Sequence, residues 1–90
     1  MSQKSKIQDF LKIEAEINSA RIENKLKVVK RKDLPSKLSE LAGNEVRPHW
    51  VNQMRRGQSI GDDCTQIIEV GLRSFSEESG AEVSIERVFD

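Results

Sequence analysis

Ninety residues with 36% apolar content and only four aromatics (Phe10, Trp50, Phe75, Phe89) allow one small domain with a modest core. One cysteine and one histidine exclude an internal disulfide and a zinc site, and no apolar run reaches the roughly 18 residues of a membrane span. Net charge is zero, but residues 1–60 carry 13 Lys/Arg against 7 Asp/Glu while residues 61–90 carry 2 against 8, so a basic working surface faces an acidic remainder. The basic excess lies in 25–56, with 9 basic and 3 acidic residues. With no signal-peptide core in "MSQKSKIQDF", the composition predicts a soluble, cytoplasmic protein without a membrane partner.

Residues 5–29 contain no Gly or Pro and predict one long N-terminal helix. Phe10, Ile13, Ile17, Ala20 and Val28 form one apolar stripe; Ile7, Leu11, Ala15, Ile22, Leu26 and Val29 form a second, with Glu14, Asn18, Arg21 and Lys25 between them. Two stripes fit either one wide core face or two contacts, one of them with a partner subunit. Val28 and Val29 could also open a short strand. "KVVKRKDLP" closes the helix, and Pro35 starts a short second helix that runs to Gly43.

The next helix begins at Pro48, whose missing N–H is harmless in a first turn, and stops near Arg56 before Gly57. A further amphipathic helix over 62–77 follows, with Asp62 or Asp63 as its cap and Gln66 as a capping-box partner. Cys64, Ile67, Ile68, Leu72 and Phe75 share one face of it, which makes Cys64 a small core residue. In "AEVSIERVF", Val83 and Ile85 alternate with Ser84 and Glu86, predicting a strand over 82–89. A lone strand needs a partner, so pairing with its own copy in a homodimer, or with a segment near 26–31, is expected.

Residues 34–57 carry the functional signal. A short helix, a turn at Gly43 and a second helix have a helix-turn-helix outline, with Leu38, Leu41 and Ala42 inside and Val51 and Met54 holding the second helix. Arg47, His49, Asn52, Gln53 and Arg56 then point outward, and amide and guanidinium groups are those that read base edges in a major groove. Trp50 is placed to cover the core beside the preceding helix, the alternative being a ring exposed to sugar or a thymine methyl. Lys30, Arg31, Lys32, Lys37 and Arg55 are the candidate phosphate contacts.

Over about residues 33–75, and most visibly in "VNQMRRGQSI", the chain resembles the helix-turn-helix transcriptional regulators of bacteria and phages, of the Cro and repressor type. The resemblance implies a mostly α fold in which Val51 and Met54 form the buried pair. It also implies that Arg47, His49, Asn52 and Gln53 face the major groove and that Arg56 meets a base or phosphate. Gly43 and Val51 lie eight residues apart, against about six in the family, so the turn is longer here or another residue takes the glycine's place.

The expected function is therefore that of a dimeric repressor reading an inverted-repeat operator in double-stranded DNA. The alternative is a protein-interaction module, an antirepressor or antitoxin-like adaptor, that uses the N-terminal helix. No nucleophile arrangement, phosphate-cradling loop or carboxylate cluster points to an enzyme, a cofactor or a metal.

Overall fold

A glycine in the middle of a helix sets a close helix crossing. In the computed structural model, which describes residues 9–88, α4 (Asp62–Ser79) packs along α2 (Leu34–Ala42) through Gly71. A Cβ at position 71 would lie 2.9 Å from the Leu38 carbonyl oxygen and 3.3 Å from Leu38 Cβ, so the absent side chain is what lets the two backbones approach. Around this crossing, α1 (Phe10–Glu23) and α3 (Pro48–Arg55) complete four α-helices among the described residues. One apolar cluster joins them: Phe10, Ile13 and Ile17 from α1, Leu34 and Leu38 from α2, Val51 and Met54 from α3, and Ile68, Leu72 and Phe75 from α4.

The expected helix 5–29 is shorter than its sequence suggests. Its first residues, Ile7 included, lie outside the described residues, and α1 stops at Glu23. Lys25 takes a left-handed φ of 62°, and the Lys25 and Leu26 N–H groups donate back to the Ile22 and Arg21 carbonyls, a two-bond helix stop usually built on glycine. The polar residues between the two stripes then hold the returning chain. Asn18 accepts from the Val29 N–H at 3.0 Å and donates to the Val29 carbonyl at 3.1 Å, and Arg21 donates to the Lys27 carbonyl. These bonds hold segment 26–30 in a path without regular secondary structure that no hydrophobic pattern specifies.

Segment 82–89 departs further. Among the described residues there is no strand; 81–84 is irregular, Ile85–Arg87 is a 3-10 turn, and Phe89 lies outside the description. Ile85 and Val88, three residues apart, both enter the core, as the threefold repeat of a 3-10 turn requires. The alternation of Val83 and Ile85 thus serves to close a helical core, without a β partner.

α4 runs two residues beyond the expected end, and its cap is Gly61, with no side-chain capping bond from Asp62 or Asp63. Both aspartates occupy the first turn, where a helix favours negative charge. Cys64 is half-buried and stands outside the buried cluster.

Candidate nucleic-acid interface

α3 is built so that one side is committed to the core and the other is free. Arg47 precedes it in extended backbone (φ −85°, ψ 143°) and Pro48 occupies its first turn. Val51 and Met54 are fully buried, which forces His49, Asn52 and Arg56 outward, while Gln53 is half-buried. At the other end Gly57, with φ 79°, lets its own N–H and that of Gln58 return to the Met54 and Gln53 carbonyls.

The connection from α2 to α3, residues 43–47, is pinned by one hydroxyl. Ser39 Oγ donates to the Pro35 carbonyl at 2.8 Å and accepts from the Val46 N–H at 2.7 Å, while the Val46 side chain is buried. Trp50 is half-buried against the core, in line with its expected covering role, and His49 meets its ring edge-on, with centroids 6.2 Å apart at 69°.

Arg55, expected to reach a phosphate, is instead turned inward. Its Nε and Nη2 donate to the two carboxylate oxygens of Glu14 at 3.1 and 3.0 Å, in a pair whose side chains are only 7% and 9% exposed. Nη2 also reaches the Arg31 carbonyl at 3.1 Å, and Nη1 donates to Asn52 Oδ1 at 3.0 Å. One guanidinium therefore fastens α3 to α1 and to the 3-10 turn Arg31–Asp33.

That turn stands beside α3. A groove of about 370 Å³ is lined by Arg31, Lys32, Pro35, Pro48, Asn52 and Arg55, and an adjoining one of about 380 Å³ by Leu11, Arg31, Asn52, Arg55 and Arg56. The fold thus gathers Arg31, Lys32, Asn52 and Arg56 into one basic surface, with Lys30 exposed just ahead of them. Arg47 is exposed at the start of α3 and 3.7 Å from Glu45.

Lys37 belongs elsewhere. Its Nζ lies 2.8 Å from Glu78 Oε2 on α4, the oxygen that also accepts from Arg21 at 2.9 Å, so a role as a phosphate contact is withdrawn. The Lys37 hydrogen bond, helped by Arg21 and opposed by partial burial, holds the Glu78 carboxyl below its ordinary range. Arg21 further donates to Ser79 Oγ at 2.8 Å and lies 5.3 Å over the Phe75 ring.

Sequence reasoning assigned Glu14 and Arg21 no role. Their signal was present: charged residues flanked on both sides of a helix by apolar stripes are placed where burial is hard to avoid, and buried charges demand partners.

Among the described residues no group of His, Cys, Asp and Glu is placed to hold a metal ion, and no helix is long and apolar enough to cross a membrane. Comparison with known proteins finds no matching family model, no matching curated protein and no matching solved structure.

Proposed function

We propose that this chain is a sequence-specific double-stranded DNA-binding protein, a transcriptional regulator whose α2 and α3 act as a helix-turn-helix unit. The observation that carries the reading is the exposed set His49, Asn52 and Arg56 on a helix anchored by Val51 and Met54, with Arg31, Lys32 and Lys30 beside it. α3 would enter the major groove, with His49, Asn52, Arg56, the half-buried Gln53 and Arg47 as base-contacting candidates. Lys30, Arg31 and Lys32 would set register on the phosphates; Arg55 and Lys37 are left out of that set because they already pair with Glu14 and Glu78.

A homodimeric repressor would read two half-sites about 34 Å apart. Segment 81–88 offers no strand for such a dimer, and the exposure of Leu11 and Ile22, 44% and 63%, favours the second stripe of α1 as its surface.

The test is a random-oligonucleotide selection with the purified protein. Enrichment of one inverted repeat, with affinity falling as salt rises at a logarithmic slope of about −0.9 per phosphate neutralised, supports the reading. No enrichment at low salt rejects it.

A second reading rests on its own observation. Leu11, Ile22, Leu26 and Val28 remain exposed along α1 and segment 26–30, which suits a protein-interaction module that grips a partner. Replacing Asn52 and Gln53 by alanine separates the two: lost operator binding with the partner interaction intact supports the first reading, and the opposite pattern supports the second.

A further inference from the structure

The chain Glu14–Arg55–Asn52 fixes which way one amide faces. Arginine carries donors only, so the group it meets at 3.0 Å on Asn52 is the amide oxygen. Arg55 cannot turn away, because Glu14 holds its Nε and Nη2 in a two-pronged pair and the Arg31 carbonyl takes a further bond from Nη2. Asn52 is exposed and borders both grooves beside α3, and its Nδ2 carries no hydrogen bond among the described residues, so the amide meets a ligand chiefly as a donor.

A free asparagine pairs with adenine by accepting from N6 with its oxygen while donating to N7 with its nitrogen. Here a charged donor already takes one of the oxygen's two acceptor positions, which weakens the accepting half of that pair and leaves two N–H groups in front. The major-groove edge that offers two neighbouring acceptors, and no donor, is that of guanine, through N7 and O6.

We infer that Asn52 reads guanine rather than adenine, and that Arg55, held by Glu14, is the positioning residue that sets this preference. The inference rests on the DNA-binding reading and deepens it.

Three selections from random oligonucleotides test it. The wild-type protein defines the site, and Asn52→Ala marks the position that Asn52 reads by losing preference there. The double variant Glu14→Leu/Arg55→Met removes both members of the buried pair, leaves no lone charge behind and frees the amide to rotate; its thermal unfolding confirms that it folds.

The expected result is guanine at the marked position, preferred over adenine by about tenfold or more in the wild type and by less than about threefold in the double variant. Adenine, thymine or cytosine at that position overturns the inference, as does an undiminished guanine preference in a folded double variant. An Asn52→Ala variant that relaxes no position also overturns it. Failure of the wild type to enrich any sequence is a different outcome: it rejects DNA recognition itself, and this inference with it.

Discussion

Two arginine–glutamate pairs anchor α1, one toward α3 and one toward α4, and they differ in how far water reaches them. In the pair of Glu14 with Arg55 both side chains are nearly sealed, at 9% and 7% exposure. In the pair of Arg21 with Glu78 the arginine is 8% exposed but the carboxylate is 35% exposed and shared with Lys37. A sealed pair stabilises only as a unit, because either partner left alone keeps the full cost of its burial. An open carboxylate recovers hydration when it loses a partner, so its pairs matter little one by one. The same interaction type thus makes a structural joint on one side of α1 and an adjustable surface on the other.

The comparison can be broken most easily at the sealed joint. Glu14→Leu leaves the Arg55 guanidinium buried without its acid and should lower unfolding free energy by about 3–5 kcal/mol in denaturant titrations. Glu14→Leu/Arg55→Met should return to within about 1.5 kcal/mol of wild type, since apolar residues of similar volume replace the pair. A double variant as unstable as the single one would show that the joint is more than a mutually satisfied pair.

Arg21→Met comes next. It removes the donors to the Lys27 carbonyl and to Ser79 and the contact over Phe75, but leaves Glu78 with Lys37 and with water. A loss of about 2 kcal/mol is expected by the same titration, smaller than for Glu14→Leu because no charge is stranded. Lys25→Gly should act in the opposite direction, raising stability by about 1 kcal/mol, because glycine occupies the left-handed turn after α1 without a Cβ penalty.

The smallest effect belongs to Lys37→Met, at most about 1 kcal/mol, as for other partly solvated pairs. Its pH dependence sharpens the contrast. The carboxyl of Glu78 is depressed in the folded protein, so its contribution is complete above the ordinary value of 4.5 and is lost as pH falls through the lower folded value. The melting temperatures of wild type and Glu78→Gln should therefore differ at pH 7 and converge as the pH is lowered below about 4.5. A gap that persists into stronger acid would contradict the assigned partners.

The elements that the sequence specified well are those with strong local signals. Pro35 and Pro48 open helices, Gly43 and Gly57 follow their ends, and the three-residue spacing of Val51 and Met54 turns Asn52 and Arg56 outward. Most of the errors share a cause. The 3-10 turn in place of a strand and the inward turns of Arg55 and Lys37 depend on partners distant in sequence, while the stop after Glu23 rests on a left-handed Lys25 that no glycine announces. Arg55 meets Glu14 across 41 positions, a distance that no periodicity within either helix encodes. Of the five residues first assigned to phosphate, Lys30, Arg31 and Lys32 remain exposed and two are occupied.

Periodicity, proline and glycine placement, and the basic bias of residues 25–56 were enough to determine a helical chain with an exposed polar face on its 48–55 helix. Only the tertiary structure decided which charges that face retains. A long side chain of fixed charge can lie against solvent or fold back on a buried acid, and the choice follows from where the fold happens to strand an opposite charge in the core.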